Sequence, residues 1–434
     1  MIFVNRNLWK KFLLNLKNGD YKAINRALLY FSFKVSGLIL ALPAIVVLWT
    51  LKPFFWLKVG KLHHSRIGHL AEETEIFLRR RQLGIFPDGP FYFFLCDSRN
   101  IANRQLLTMF KRVLPIYTSR IAVSIFDGML PLLRNTPFYQ PLELKSTEYF
   151  EFKNAKPSIS FTLEEIRKGR KLLKKMNVDF DNDNYVCIFA RDNAFLNKTM
   201  PFQSWDCHEL RNSEIDDFIE TAKYLIANGL TVIRVGSVVE KPISFSHPRL
   251  IDYSVSEYQC EFLDIFLLGT CKFLIGSSAG IGDVSQIFDI PQVHTAWLGF
   301  GTAPIGKNAL VVPKKYKIVK TGQYLHFKEA FNRKYQALCK DINPTSTDVK
   351  KLGLTVEDNS PQDILEATKE MLNRLEGIFQ YSQEEEKLIQ SFQKIWFQPN
   401  PLYKDITRPI GIEWLKKNNS CIFNNKPSLK SRIN

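Results

Sequence analysis

The sequence predicts an α/β fold built on parallel, doubly wound sheets. Short apolar runs alternate with amphipathic helical stretches, and the clearest runs are Tyr185–Ala190, Leu230–Val235 and Gln292–Thr295. This alternation is typical of βαβ units. The chain has 434 residues, which is long enough for two such domains and additional segments. Because ligands bind at the carboxyl ends of the strands in these sheets, we expect the functional residues there.

The stretch Leu263–Pro291 carries the most informative loop. It predicts a helix that ends at Gly269, a short buried strand at Phe273–Ile275, a loop of small residues at Gly276–Gly280 and a second helix. Such a loop presents unpaired backbone N–H groups at the positive end of a helix dipole, which favours phosphate. The alternative is an ordinary strand–helix turn in which a serine caps the helix.

The net charge of +16 favours negatively charged partners. Nucleic acid, anionic lipid and phosphorylated substrates all attract a basic protein, but the sequence contains no recognisable nucleic-acid module. The basic residues crowd the N-terminal end, where leucines and phenylalanines recur at helical spacing. This pattern suits an anionic membrane surface. The cations of this segment are Arg6, Lys10, Lys11, Lys17, Lys22, Arg26 and Lys34.

The next segment, Val35–Leu51, contains no charged residue and is flanked by aromatic side chains. It reaches the lower limit of length for a spanning helix, and Pro43 would allow a kinked helix that enters and leaves on one face. Because cations lie on both sides of this segment, the positive-inside rule does not predict its orientation in the membrane. We therefore expect a membrane-embedded segment, spanning or re-entrant, with a buried helix of a soluble protein as the alternative. A cleaved signal peptide is disfavoured because the apolar run begins too far into the chain.

Cysteine and carboxylate patterns argue against structural metal sites. The seven cysteines are scattered without a CxxC pair, which indicates free thiols in a reducing compartment. Asp181-Asn182-Asp183 matches the DxD motif of some metal-dependent glycosyltransferases, but a polar turn before a strand is the favoured interpretation. We expect no bound metal.

The predicted organisation has five parts. They are a basic and membrane-embedded segment at 1–55, an N-terminal Rossmann-like domain at 56–175, a C-terminal Rossmann-like domain at 176–358, helices at 359–398 and a polar, irregular tail at 399–434. Residues 161–183 are interpreted as the interdomain linker.

Several motifs in their order along the chain resemble a family of bacterial glycosyltransferases from surface-polysaccharide gene clusters. The motifs are RIGHLA at 66–71, the strand that ends in Ala190-Arg191-Asp192, Arg211-Asn212, VIRVG at 232–236, IDYS at 251–254 and DIFLLGTCKFLIGSSAG at 264–280. The last is also similar to the donor segment of GT-B fucosyltransferases. The resemblance implies a GT-B fold in which two Rossmann-like domains face a cleft. It also implies a nucleotide-sugar in the C-terminal domain, an acceptor in the N-terminal domain and C-terminal helices that cross back.

The donor site that this resemblance implies lies in the second domain. Without a metal, a helix N-terminus and arginines must stabilise the charge on a leaving diphosphate. We expect Arg191 and Arg234 to pair with the diphosphate, although a salt bridge between Arg191 and a nearby acid is the alternative. Asp252 and Ser254 would contact the nucleoside or the sugar, unless they only form a strand-end turn. The loop residues of this donor site are Gly276, Ser277, Ser278, Ala279 and Gly280.

The acceptor side requires a base for the incoming hydroxyl if the reaction inverts. His69 has the right residue type and follows Arg66 and Gly68 in the first predicted strand–helix loop. Asp97, at the end of the second strand, is the second candidate. A solvated or capping role is the alternative for His69. We interpret His63 and His64 as membrane-proximal surface, and the glutamates at 72, 73 and 75 as favouring the first turn of the helix.

The resulting hypothesis is a glycosyltransferase on the cytoplasmic face of a bacterial inner membrane. It would transfer a hexosyl or deoxyhexosyl group from a nucleotide-sugar to a membrane-linked glycan or a surface polysaccharide such as lipopolysaccharide, with no cofactor and no nucleic acid. One alternative is a non-catalytic membrane scaffold of a polysaccharide assembly complex. A nucleotide-dependent epimerase or dehydrogenase is disfavoured because no GxGxxG follows the first predicted strand.

Overall fold

The computed structural model describes residues 21–143, 148–199, 205, 209–302, 304–335, 337–340, 344–397 and 406–423. The chain divides into two compact units. Unit 1 comprises Met1–Phe77 and Gly84–Glu143, and unit 2 comprises Leu78–Leu83 and Leu144–Asn434. Each unit contains a parallel sheet with helices, so the predicted α/β class is confirmed. The predicted basic residues Arg6, Lys10, Lys11 and Lys17 lie outside the described residues.

Unit 1 begins with one long apolar helix and continues as a small α/β unit. Its elements are α1 (Tyr21–Leu51), β1 (Leu57–Lys61), α2 (Ile67–Gln82), β2 (Phe91–Cys96), α3 (Arg104–Lys111), β3 (Ile116–Thr118) and α4 (Arg120–Leu133). The last residues of α2 belong to unit 2. Strands β1, β2 and β3 form a parallel sheet in that order.

The long helix α1 packs against α4 at two glycines. A Cβ atom on Gly37 would lie 2.0 Å from the carbonyl oxygen of Ile125, and one on Gly128 would lie 2.0 Å from that of Lys34. Only glycine permits so close an approach of the two backbones. Helix α1 continues through Pro43 and is long and apolar enough to cross a membrane, with a mean hydropathy of 2.1 in its most apolar window.

Unit 2 carries a larger sheet and most of the helices. Its elements before the second strand are α5 (Glu148–Asn154), α6 (Leu163–Lys175), β4 (Tyr185–Phe189), α7 (Ala194–Thr199), a 3₁₀ turn (Ile215–Phe218) and α8 (Ile219–Ala227). The middle elements are β5 (Thr231–Arg234), β6 (Leu250–Asp252), a 3₁₀ turn (Tyr253–Val255), α9 (Glu261–Thr270), β7 (Leu274–Ser277), α10 (Gly280–Ile287), β8 (Gln292–Trp297) and β9 (Ala309–Pro313). The remaining elements are β10 (Lys315–Ile318), α11 (Phe327–Ala330), α12 (Ala337–Lys340), α13 (Ser346–Lys351), β11 (Leu354–Glu357), α14 (Pro361–Leu375), α15 (Gln383–Trp396), α16 (Ile412–Lys417) and α17 (Asn419–Phe423).

The main sheet of unit 2 has six parallel strands in the order β6-β5-β4-β7-β8-β9. If these six strands are numbered 1 to 6 along the chain, their order across the sheet is 3-2-1-4-5-6, which is the arrangement of a Rossmann fold. The order reverses between β4 and β7, because the chain first proceeds to one edge and then returns to build the other half. A crevice opens at such a reversal, and ligands bind there in open α/β sheets.

Two segments of unit 2 differ from the sequence-based prediction. Helix α6, which was expected in an interdomain linker, packs on α9, because Gly169 lies against the ring of Phe266 and leaves no space for a Cβ atom. The prediction that the tail is polar and irregular is wrong for its described part. Ile410, Trp414 and Leu415 are buried there, and α16 contacts α14 and α15. The apolar residues of the tail are isolated among polar neighbours. Without a long apolar run, the sequence did not predict that they are buried.

The small antiparallel sheet β10–β11 contains a carboxylate held by two lysines. Glu357 contacts Lys315 Nζ at 2.6 Å, contacts Lys317, and accepts a hydrogen bond from Tyr324 at 2.9 Å. Partial burial opposes ionisation of Glu357, but these hydrogen bonds outweigh it and lower its pKa to about 2. The carboxylate therefore stabilises the fold at neutral pH and loses this effect as the pH falls from about 5 towards 2.

We expect Glu357→Gln to lower the free energy of unfolding by about 1 kcal/mol at pH 7, after discounting for solvent screening. The difference from the wild type should shrink as the pH falls to 3, because the wild-type carboxylate loses its advantage on protonation. Urea unfolding at several pH values measures this. Glu376→Gln, which removes a surface pair with Lys272, is the control. A difference that is constant from pH 7 to pH 3 would contradict the assignment.

Candidate functional site

The point of strand reversal in unit 2 brings two predicted donor-site residues together. The main-chain N–H of Arg191, two residues beyond the end of β4, donates to Ser277 Oγ at 2.7 Å. Ser277 is the last residue of β7 and is buried. The strands themselves pair beside it, with Phe189 opposite Gly276. The bond therefore lies at the carboxyl edge of the sheet, where a Rossmann fold holds its ligand.

Gly276 and Ala279 determine how closely the loop approaches this edge. A Cβ atom on Gly276 would lie 2.6 Å from the carbonyl oxygen of Phe189, so any larger residue would push β7 away from β4. The N-cap of α10 is Ala279, whose methyl side chain cannot accept a hydrogen bond from the N–H groups of the helix. The alternative that a serine caps this helix is therefore wrong. Helix α10 begins at Gly280 without a side-chain hydrogen bond from its N-cap residue, an arrangement that is compatible with an external anion.

The guanidinium of Arg191 contacts Asn212 Oδ1, and the Arg191 residue is 7% exposed. The Ser213 N–H donates to the Arg191 carbonyl at 3.0 Å, so the segment after β4 folds back over the strand end. Asp192 accepts hydrogen bonds from the main-chain N–H groups of Ala194 and Glu240. In this motif the side chain of Arg191 therefore contacts Asn212, and that of Asp192 binds the neighbouring main chain.

Arg234, Asp252 and Ser254 also come together, but in a buried arrangement of their own. Arg234 Nη1 lies 3.0 Å from Asp252 Oδ2 and 2.7 Å from the carbonyl oxygen of Lys241, and Arg234 is 1% exposed. Ser254 donates its hydroxyl hydrogen to the other oxygen of Asp252. In this arrangement Arg234 offers almost no surface to a diphosphate. We assign the three residues to the framework that joins the ends of β5 and β6.

One residue at this edge, Lys314, was not among the site candidates that the sequence predicted. Lys314 directly follows β9, and its buried Nζ donates to the carbonyl oxygens of Leu210 and Asn212 at 2.7 and 3.0 Å. Burial lowers the pKa of Lys314, and Asp358 at 2.5 Å opposes that shift. Lys314 therefore holds the segment that presents Asn212 to Arg191. The sequence signal for Lys314 is its position directly after the apolar run ALVVP. Arg191 and Arg234 were predicted from the same kind of position, at the end of an apolar strand.

In unit 1 a buried glutamate joins two histidines. His69 lies in the first turn of α2, so the prediction that it lies in a loop is wrong. Its Nδ1 is 2.6 Å from Glu73 Oε1, and His63 Nδ1 contacts the other oxygen of Glu73. The side chain of Glu73 is 6% exposed, whereas those of His63 and His69 are 53% and 46% exposed. Spacing of i and i+4 on α2 aligns His69 with Glu73.

The electrostatics of this cluster favour an ionised glutamate. Burial raises the pKa of Glu73, but the hydrogen bonds from His63 and His69 outweigh it, and the net shift is downward. The glutamate was interpreted from sequence as a helix N-terminal charge. In the structure it fixes the tautomer and the orientation of two imidazoles instead. His63, predicted as mere surface, belongs to the same cluster.

The remaining acceptor-side candidates lie at other positions of unit 1. Asp97 follows β2 and receives three hydrogen bonds from Arg99, at 2.9 Å from its main-chain N–H and at 3.1 and 2.7 Å from its guanidinium. Burial raises the pKa of Asp97, but these bonds outweigh it and lower it overall, so the carboxylate is a weak base. Arg66 is exposed directly before α2, and Gly68 is buried within its first turn.

The DxD-like motif forms a turn, as expected. Asp183 and Asp179 exchange main-chain and side-chain hydrogen bonds, and Asp181 pairs with Arg170 at 2.7 Å. Within the described residues, no group of three or more histidine, cysteine, aspartate or glutamate side chains could hold a metal ion. The described cysteines at 96, 187, 260, 271 and 339 are free thiols.

Comparison with known proteins yields distant similarity to solved glycosyltransferase structures. The chain is similar to the glycosyl transferase family 9 structure from Veillonella parvula, at 11% identity over 60% of this chain and 86% of that chain, with a TM-score of 0.38. It is similar to E. coli ADP-heptose lps heptosyltransferase II, at 12% identity over 74% and 98%, with a TM-score of 0.43. It is also similar to E. coli heptosyltransferase WaaC with ADP-2-deoxy-2-fluoro heptose, at 12% identity over 59% and 93%, with a TM-score of 0.29.

No protein-family model matches the chain, and no curated protein matches it. Because the structural matches have 12% identity or less and TM-scores below 0.5, we transfer no residue role and no substrate from them.

Proposed function

We propose that this protein is a glycosyltransferase that transfers a sugar from a nucleotide-sugar to a membrane-linked glycan. The observation that supports this best is the hydrogen bond between Arg191 N and Ser277 Oγ at the strand reversal of unit 2. It joins a basic residue to a small-residue loop that precedes a helix with no side-chain cap. Arginine, main-chain N–H groups and a helix dipole together favour a diphosphate.

On the donor side, the diphosphate of the nucleotide-sugar would lie over Gly276–Gly280 and pair with Arg191. The bond between the anomeric carbon and the terminal phosphate oxygen breaks, and the nucleoside diphosphate leaves with that electron pair. The loop and Arg191 stabilise the growing negative charge, so this proposal includes no metal ion and no further cofactor. Arg234 would act only through the framework that it forms with Asp252.

On the acceptor side, His69 would serve as the base if the reaction inverts. The acceptor hydroxyl oxygen forms the new bond to the anomeric carbon, and its proton passes to the imidazole. Because Nδ1 of His69 contacts Glu73, the base would be Nε2. Asp97 would be the second candidate, although Arg99 engages both of its oxygens.

The acceptor would be lipid-linked, and the protein would work at the cytoplasmic face of a bacterial inner membrane. Helix α1 is apolar and largely uncovered, which supports membrane association. A soluble nucleotide-sugar and a membrane-bound acceptor would meet at such a protein. A surface polysaccharide or lipopolysaccharide intermediate is the proposed acceptor class, and hexosyl or deoxyhexosyl groups are the proposed cargo. A Rossmann-like architecture of both units remains part of this proposal.

A nucleotide screen tests the proposal directly. We expect thermal unfolding of the full chain to shift upward with at least one of UDP, GDP, ADP, TDP or CMP, because a ligand that binds the folded state stabilises it. The shift should disappear in Arg191→Ala and remain in Arg249→Ala, whose arginine contacts Gly229 O at the amino end of β5. If no nucleotide shifts the wild-type protein, the non-catalytic scaffold becomes the better interpretation.

A further inference from the structure

Helix α1 is covered along one narrow stripe and exposed on the rest of its surface. The covered residues recur at helical spacing, from Ile24 through Tyr30, Gly37, Ala41 and Ile45 to Leu48. At 1.5 Å per residue, this stripe runs for about 36 Å. It is therefore longer than the hydrocarbon core of a bilayer, which is about 30 Å thick.

Different parts of unit 1 cover successive turns of this stripe. Helix α4 meets its first half, where Tyr30 donates to Asp127 Oδ2 at 3.2 Å and Gly37 contacts the backbone of Ile125. The sheet and its core meet the second half, where Ile45 and Leu48 pack with Leu95, Phe126 and Phe138.

This packing conflicts with a helix that crosses the bilayer. If α1 spanned the membrane, α4 and the sheet of unit 1 would enter the hydrocarbon with it. The sheet of unit 1 and its core, which pack on Ile45 and Leu48 in the apolar half of α1, would then lie at membrane depth. So would the edge of a three-stranded open sheet. Open sheet edges do not occur within lipid.

The exposed side of α1 nevertheless has the chemistry of a lipid-facing surface. Leu29, Ile39, Leu42 and Val46 are each more than half exposed. Two hydroxyls on this side bond to the helix itself, since Ser32 donates to Leu29 O and Thr50 to Val47 O, each at 2.8 Å. These polar groups need no water.

Cations and aromatic rings flank this apolar face. Lys22 and Arg26 are exposed near its beginning. At its end, Lys52 Nζ lies 4.9 Å from the ring of Trp49 and 5.0 Å from that of Trp56. Tryptophan and lysine at the end of an apolar segment are typical of the boundary between acyl chains and anionic headgroups.

We infer that α1 lies along an anionic bilayer instead of crossing it, with its exposed face in the acyl layer and its covered stripe toward unit 1. The partner is the lipid surface itself. The bilayer meets unit 1 from one side, so unit 1 stays in the aqueous phase while α1 is embedded. This inference does not depend on the proposed glycosyl transfer, because it rests on the packing and the exposed chemistry of α1.

Depth measurements on spin-labelled full-length protein test the orientation. Single cysteines replace Leu28, Ile39 and Val46, which are all exposed and lie on the same side of α1. The background carries Cys260→Ser, because Cys260 is an exposed native thiol. That background without an added cysteine measures residual labelling. Glu384→Cys, at an exposed position in α15, supplies the reference for a label in water. The membranes are vesicles of phosphatidylethanolamine and phosphatidylglycerol.

We expect the three α1 labels to report depths that agree within about 5 Å. In a spanning helix, Leu28 and Ile39 would differ in depth by about 16 Å at 1.5 Å per residue. A depth difference of that size overturns the inference. So do α1 labels that remain as accessible to water as the Glu384→Cys label. Spin–spin broadening between chains in place of lipid contact would mean that a second copy covers the face, which also overturns it.

Discussion

Arg191→Ala is expected to lower kcat/KM for sugar transfer by a factor of about 10² to 10³, the usual effect of removing one preorganised donor to a developing anion. Alanine keeps the main-chain N–H that bonds to Ser277 Oγ, so the strand reversal should stay intact. The guanidinium is lost, together with its contact with Asn212. Steady-state kinetics with the nucleotide-sugar found by the screen measures the effect.

Two further arginine variants sharpen this test. Arg191→Lys keeps the charge but not the planar fork that pairs with two phosphate oxygens, so we expect an intermediate loss. Arg249→Ala removes an exposed arginine from the opposite, amino-terminal side of the same sheet and should leave the activity within about twofold of the wild type. If Arg191→Ala retains more than a third of the wild-type kcat/KM, Arg191 does not bind the diphosphate.

The strands of unit 2 could be predicted because their sequences carry the relevant signal locally. Tyr185–Phe189 and Thr231–Arg234 are short apolar runs buried on both faces, and each was located to within one or two residues. The arginine at or just beyond the end of each strand marks the carboxyl edge of a parallel sheet. That rule located Arg191 and Arg234, and applied to Ala309–Pro313 it would also have located Lys314.

The pairings among site residues could not be predicted, because they depend on contacts between distant parts of the chain. Arg234 was predicted at the diphosphate, which stays a prediction, but its pairing with Asp252, 18 residues away, and its burial could not be predicted. Nothing in VIRVG distinguishes a buried framework arginine from one at a ligand. The His63–Glu73–His69 cluster was missed for the same reason. A glutamate in the first turns of a helix has an adequate local explanation, and only the fold shows two imidazoles beside it.

The role of the covered stripe on α1 was likewise hidden in the sequence. Val35–Leu51 has the composition of a spanning helix. The sequence criterion for such a helix uses only its length and its apolar content. The distinguishing features are Gly37 and Gly128, which allow α4 to pack directly on α1. They lie about ninety residues apart in the sequence, so the pairing is visible only in the fold.

His69→Gln is expected to lower kcat for sugar transfer by a factor of about 10² to 10⁴, the usual contribution of a general base. Glutamine keeps much of the volume and the hydrogen-bonding capacity of the side chain but cannot accept the proton at neutral pH. Since His69 belongs to unit 1 and the proposed donor loop to unit 2, KM for the nucleotide-sugar should stay within about twofold. Steady-state kinetics with both substrates varied separates the two parameters.

The other members of the cluster supply matched controls for a base at His69. His63→Gln removes the second imidazole that contacts Glu73, and it should cost no more than about threefold in kcat, because in our proposal only His69 receives the proton. Glu73→Gln should lower kcat by a factor of about 10 to 10⁴, since the neutral amide neither fixes the tautomer of His69 nor stabilises the imidazolium that forms. Equal losses from His63→Gln and His69→Gln would mean that the cluster only maintains the fold around Glu73, and the base would then have to be sought at Asp97.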